Sequence, residues 1–521
     1  MVVTADARAT EAALEILKQG GNAVDAAITA QWVLNVVEPA SSGIGGGGFF
    51  LFYEAATKRI FAFDGREGAP ARAFPEMFLD EKGEPIPFYP ERITGGLAVG
   101  VPGTLKLLKT VHEKYGSGLF SFADLFNPAI DYAENGFLIS KRLASFIRRE
   151  EKRLRMFPES KKHVVKQDGS LRQAGDRLSF PDLAETFQLI QAEGIDVFYR
   201  GEIARDIVRA VQSSPTNPGW MTLQDLSEYE VIQREPISGE YRGYQIVGMG
   251  PPSSGTSTVI AALNLLEASP MTPEDSLIKK IGFLARAQRL AFEDRNRFIG
   301  DPAFTNIPVS QIISQEYANK RWQEMSEVAQ ATTEEGTHTS HLSIMDEQGN
   351  MVAFTTTIEY LFGSALMVPG RGFFLNNELT DFDGKAFNTS GRLKTNAPEG
   401  KKRPRSSMSP TFVFQGEKPF LILGSPGGSA IIGAVFNVIV HVIDLQMSLK
   451  EAVHAPRTIH RGGKIELETP LFNEKAVRQS FHDNLKLKKV IGNVQAIQLD
   501  PATDVLIGQS DPRGEGTAQG Y

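Results

Sequence analysis

The chain has 521 residues, a net charge of −7, 41% hydrophobic and 22% charged residues, and no cysteine. At roughly 150 residues per domain this length allows two to four units, and the composition is that of a globular protein. The acidic balance argues against a nucleic acid or an anionic membrane as partner, and the missing thiols exclude disulfides, thiol catalysis and cysteine-based metal sites.

The opening "MVVTADARATEAALEILKQGG" turns helical almost at once and lacks the parts of a secretory signal. A cytoplasmic location is the default expectation, with an extracellular one open if a leader was removed. The pattern predicts helices over Ala9–Lys18 and Ala23–Val37, the second capped by Asn22 and ended by Pro39. "GIGGGG" at Gly43–Gly48 fits G-x-G-x-x-G, but it follows a helix and enters a strand, the reverse of a dinucleotide site, so no nucleotide is expected. "FFLFYEAATKRIFAFDGRE" reads as two strands, residues 104–212 as several helices, and "ISGEYRGYQIVGMGPPSSG" as strands again.

A single helical stretch is expected over Ser257–Arg297 and an exposed loop over Arg321–His338. Strands follow in "HLSIMD", "MVAFTTTI", "GFFLNN", "PTFVF" and "PFLILGSPGG", then a buried helix over Ala430–Leu445 that is too short and too interrupted for a bilayer. Strands flanked by helices imply a layered α/β or α+β domain.

"DEQGN" sets the register of one hairpin. A three-residue loop, Glu347-Gln348-Gly349, pairs Asp346 with Asn350. Leu342 then faces Phe354 and Ile344 faces Val352 on an apolar side. Ser343 faces Ala353, His341 faces Thr355 and Thr339 faces Thr357 on a polar side. Directly opposed Cβ atoms lie about 4.5–5.5 Å apart, close enough for two threonine hydroxyls to bond. Read alone, such a pair at a strand end is structural.

Longer motifs change that reading. "THTSHLSIMDEQGN", "GFFLNNELTDFD", "KKRPRSSMSPT", "GSPGGS" and "SDPRGEGTAQGY" resemble the small subunit of the gamma-glutamyltranspeptidases. "LEILKQGGNAVDAAI", "VVEPASSGIGGGGFF" and "FDGREGAP" resemble the large subunit, in order and over nearly the whole chain. The resemblance implies an N-terminal nucleophile hydrolase with a four-layer αββα sandwich, cut autocatalytically between His338 and Thr339. Residues 1–338 and 339–521 would be the large and small subunits of one core.

By the same resemblance, Thr339 is the nucleophile, with Thr357 in the catalytic set, and Gly427 and Gly428 form the oxyanion hole. Arg66, Ser406 and Ser407 bind the substrate α-carboxylate, and Glu378 and Asp381 its α-ammonium. The position usually held by asparagine is Glu359, so three carboxylates would converge on one ammonium, raising at least one of their pKa values unless a cation is bound. Neither a cofactor nor a metal is implied. Outside the resemblance, Arg66 reads as a surface ion pair, the serines as turn residues, the glycine turn as a strand-to-helix connection, and Lys401–Arg405 as a solvated loop.

The segment after Asp381 is short and lacks Tyr and Trp, so an open pocket is expected. The expected function is γ-glutamyl transfer from glutathione-like donors to water, amino acids or peptides through an acyl-threonine. The alternatives are a glutaryl-type cephalosporin acylase and an unprocessed member that only binds amino acids or peptides.

Overall fold

The computed structural model describes residues 1–324, 338–500 and 503–521, so most of the loop expected at 321–338 lies outside the described residues. Thirteen strands matter here: β1 (Val2–Thr4), β2 (Gly47–Glu54), β3 (Arg59–Gly65), β4 (Ile232–Arg234), β5 (Ile237–Tyr241), β6 (Tyr244–Gly248), β7 (Thr339–Met345), β8 (Met351–Thr357), β9 (Thr411–Gln415), β10 (Lys418–Gly424), β11 (Gln495–Leu499), β12 (Leu506–Ser510) and β13 (Thr517–Gln519). One sheet has the order β13-β1-β7-β8-β2-β3-β4 and the other β12-β11-β10-β9-β6-β5. Segments from both sides of His338 are therefore hydrogen-bonded side by side within each sheet.

The alternation of side chains across each strand builds the layers. Phe50, Phe52, Leu342, Ile344, Val352 and Phe354 pack against helices Ala7–Lys18 and Ala23–Val37. Phe49, Leu51, Met345, Met351 and Ala353 point the other way, toward Val247, Phe412, Phe414 and Ile422 of the second sheet. Helices Gly255–Glu267, Leu277–Phe298 and Ala430–Ile443 supply further residues to that core. The result is the αββα sandwich. No described helix is long and apolar enough to cross a membrane.

The hairpin register holds at every pair, from Met345–Met351 to Thr339–Thr357. Its polar side, however, does not meet water. His341, Ser343 and Thr355 are fully buried, where His341 Nδ1 shares a 2.8 Å hydrogen bond with Thr355 Oγ1 and Nε2 a 3.2 Å bond with Ser343 Oγ. Burial lowers the His341 pKa to about 3, so the ring is neutral.

Three expectations need correction. The helix expected over Ser257–Arg297 is two helices separated at 268–276, where Pro270 and Pro273 cannot donate to a helical ladder. "GFFLNN" forms only an isolated bridge, Met367 to Phe374. Its asparagines bond elsewhere: Asn376 Nδ2 donates to Gly45 O and Gly100 O, both at 2.8 Å, and Asn377 Oδ1 accepts from Tyr360 N. The basic run Lys401–Arg405 is not solvated, because only Lys401 is exposed. Arg403 is buried 2.6 Å from Asp64, and Lys402 lies 3.2 Å from Glu399.

Candidate active site

Strand β7 begins at Thr339 and β8 ends at Thr357, side by side at one end of the first sheet. The Thr339 hydroxyl donates to Thr357 Oγ1 at 3.5 Å, and the Thr357 hydroxyl donates to the carbonyl oxygen of His338 at 3.0 Å. Glu359 N donates to Thr357 Oγ1 at 2.8 Å, which turns the Thr357 proton toward that carbonyl. Ser340 faces the opposite side, where its hydroxyl donates to Glu38 at 2.6 Å. His338 is boxed by Phe146 and Tyr360, and burial holds its pKa well below the ordinary histidine value.

The glycine run allows this approach. A Cβ at Gly46 would sit 2.1 Å from the Thr357 carbonyl oxygen, and one at Gly47 2.6 Å from a Glu67 oxygen. Glu359 follows with φ 79°, a left-handed conformation that costs a non-glycine residue about 1–3 kcal/mol and occurs preferentially at functional sites.

Arg66, Thr339, Thr357, Glu359, Glu378, Asp381, Ser406, Ser407 and Gly428 line one cavity of about 250 Å³, part of it open to solvent. Gly427 and His338 instead line the neighbouring cavity. Arg66 is not a surface residue: it is 1% exposed and bridges Glu378 and Asp381, with 2.5 Å between Nη2 and Asp381 Oδ2. Its remaining donors reach Pro404 O at 3.2 Å and Arg405 O at 3.1 Å. Ser407 Oγ accepts from Arg295 Nη2 at 2.6 Å. The backbone at Gly428 has φ 56°, a region glycine enters without strain.

Two residues here escaped the sequence reading. Glu67 is fully buried 4.0 Å from Arg66, so it joins Glu378 and Asp381 around that guanidinium. Burial pushes Glu67 up to about 7 against the pull of Arg66. Burial and the neighbouring Glu67, Asp381 and Glu359 push Glu378 well above the carboxylate range, although Arg66 opposes them. Arg295 is the other. Its partner is 112 positions away, and no local motif marked it.

A four-layer sandwich with a threonine hydroxyl at the start of a central strand defines the class, an N-terminal nucleophile hydrolase. The family model described as gamma-glutamyltranspeptidase matches residues 9–521. The glutathione hydrolase proenzyme of Bacillus subtilis (strain 168) is 39% identical over 548 residues, covering 100% of this chain and 91% of that protein. Among solved structures, cephalosporin acylase from Bacillus halodurans aligns with a TM-score of 0.86 and 28% identity over 100% of this chain and 96% of that one. Helicobacter pylori gamma-glutamyltranspeptidase aligns with a TM-score of 0.57 and 38% identity over 60% of this chain and 88% of that one. The chain belongs to the gamma-glutamyltranspeptidase family and is an enzyme of its acyl-transferring and amide-hydrolysing kind.

Proposed function

We propose that the chain cuts its own His338–Thr339 bond and then transfers γ-glutamyl groups to water, amino acids or peptides through an acyl-Thr339 intermediate. The observation that carries this is the Thr357 hydroxyl on the His338 carbonyl, with the Thr339 hydroxyl next to it. In the precursor, Thr339 Oγ attacks the His338 carbonyl carbon while Thr357 stabilises the oxygen. The C–N bond breaks, the amide nitrogen takes the proton, and water opens the resulting ester. The large and small subunits, 1–338 and 339–521, stay together because each contributes to both sheets.

The freed α-amine of Thr339, with a reference pKa of roughly 7.7–8.0, then accepts the proton of its own hydroxyl. The hydroxyl attacks the γ-carbonyl, whose oxyanion is held by Gly427 and Gly428 N–H groups. A preorganised donor of this kind is worth ~10²–10³ in rate. The α-carboxylate of the donor sits on Arg66, Ser406 and Ser407, and its ammonium among Glu359, Glu378 and Asp381. On binding, the zwitterion replaces the internal pairing of Arg66 with Glu378 and Asp381, so each charge keeps a partner.

Glutathione-like compounds are the simplest donors, in keeping with the named activity of the Bacillus subtilis relative. A second reading, a glutaryl-type acylase, is favoured by the full-length likeness to the Bacillus halodurans cephalosporin acylase. A glutaryl group has no ammonium to satisfy the carboxylates, which supports the glutamyl reading. Rates on γ-glutamyl and glutaryl anilides decide between them: faster γ-glutamyl release is expected, and faster glutaryl release overturns the proposal.

A further inference from the structure

A second cavity adjoins the first across the reacting bond. It is lined in part by His338, whose chain neighbour is Thr339, and by Gly427, whose chain neighbour Gly428 lines the Arg66 cavity. It encloses about 1240 Å³, open to solvent, against about 250 Å³ on the Arg66 side. An amide at Thr339 has two ends. With its acyl half in the Arg66 cavity, its amine half extends toward this larger space.

The described lining of this space is basic, with Arg142, Arg149, Lys488, Lys489 and Arg513 and no carboxylate. Two of these cations are already satisfied. Arg513 lies 2.5 Å from Glu468 and 3.0 Å from Asp511, and Arg149 donates to the Tyr360 hydroxyl at 2.7 Å beside Glu150. Arg142, Lys488 and Lys489 form no salt bridge among the described residues, although Arg142 attracts the buried Glu38 carboxylate. Arg142 stacks over Phe146 at 5.3 Å, and its Nη1 is buried with no described acceptor. Burial lowers the Lys488 pKa, with Arg461, Lys486 and Arg149 adding to the effect and Glu466 opposing it. A bound anion relieves that cost.

We propose that this basic cavity is the subsite for the departing and the attacking amine, and that it selects amines carrying two carboxylates, such as glutamate, aspartate or an acidic dipeptide. The proposal rests on the γ-glutamyl reading. In the step concerned, the bond from Thr339 Oγ to the acyl carbon forms as the C–N bond breaks, and the amine leaves with the proton taken from the hydroxyl. In transfer, the acceptor nitrogen bonds the acyl carbon, the bond from that carbon to Oγ breaks, and the amine's proton returns to Oγ. The cations bind the carboxylates and take no part in bond making.

The test compares kcat/KM of the mature enzyme on γ-glutamyl-glutamate and γ-glutamyl-alaninamide, which share the acyl group and differ in the charge of the amine. We expect a preference of about tenfold for the acidic donor, weakening in raised salt, since partly exposed pairs contribute a fewfold each. The preference should collapse toward unity in the Lys488→Gln/Lys489→Gln double variant and fall independently in Arg142→Gln. Lys82→Gln, an exposed lysine elsewhere, should keep it. A wild-type ratio near one, or a ratio retained by both cavity variants, overturns the subsite. If the wild type releases neither amine and cleaves only glutaryl anilide, the γ-glutamyl reading has failed instead.

Discussion

The Thr357 hydroxyl stands 3.0 Å from the His338 carbonyl oxygen, as a donor already in place on the peptide bond that Thr339 is positioned to attack. Thr357→Val keeps the shape and removes the donor. We expect maturation to slow about 100-fold, the usual cost of losing one preorganised oxyanion donor, while the fold is retained. Thr357→Ser should restore most of the rate. Time courses of chain cleavage on denaturing gels read the effect, and a valine variant that matures at the wild-type rate removes Thr357 from the reaction.

Arg66→Lys keeps one charge but cannot present a planar fork to Glu378 and Asp381 together. We expect kcat/KM on γ-glutamyl anilide to fall about 100-fold, mainly through KM. Arg66→Ala should go further and destabilise the fold by about 3–5 kcal/mol, because it strands buried carboxylates. Steady-state kinetics and thermal melts separate the two effects. An unchanged KM in the lysine variant would mean that the carboxylate binds elsewhere.

The acidic cluster makes ammonium binding pH-dependent. At low pH, protons on Glu67, raised to about 7, and on Glu378, raised well above the carboxylate range by burial, neutralise the site. Raising the pH removes them and strengthens the attraction, so 1/KM should rise with pH through about 7. Glu67→Gln removes one repelling charge from Glu378, so the acid limb of the 1/KM profile should move to lower pH. A limb that stays in place excludes Glu67 from the coupling.

His341 provides a stability test with a definite sign. Its folded pKa of about 3 lies below the unfolded value near 6.5, so the unfolded chain binds the extra proton between these limits. Its contribution is complete above pH 6.5 and declines as the pH falls toward 3, at about 1.4 kcal/mol per unit. The stability advantage of the wild type over His341→Asn, measured by denaturant melts, should therefore shrink on acidification from pH 7 to 4.5. A difference independent of pH would show the ring to be protonated or exposed.

What the sequence made legible was local. The "DEQGN" turn and the alternation around it set every pair of the β7–β8 hairpin, since a one-residue slip would have put apolar side chains opposite polar ones. Non-local pairing was not legible. Arg66 reads as a surface charge until Glu378 and Asp381, more than 300 positions on, are seen to bury it. Arg403 reads as solvated until Asp64 meets it. Glu67 sat unnoticed inside a quoted motif, because nothing in "FDGREGAP" says which face its side chain takes. Asn376 and Asn377 sit in an apolar run that reads as strand, yet their side chains bond loop backbone that comes from elsewhere in the chain.

Intact-mass spectrometry of purified active protein, beside the Thr339→Ala variant, tests the central claim most directly. The account predicts two chains, 1–338 and 339–521, in the active wild type, and a single inactive chain of 521 residues in the variant. A wild type that turns over γ-glutamyl donors at its full rate as one uncut chain would contradict it.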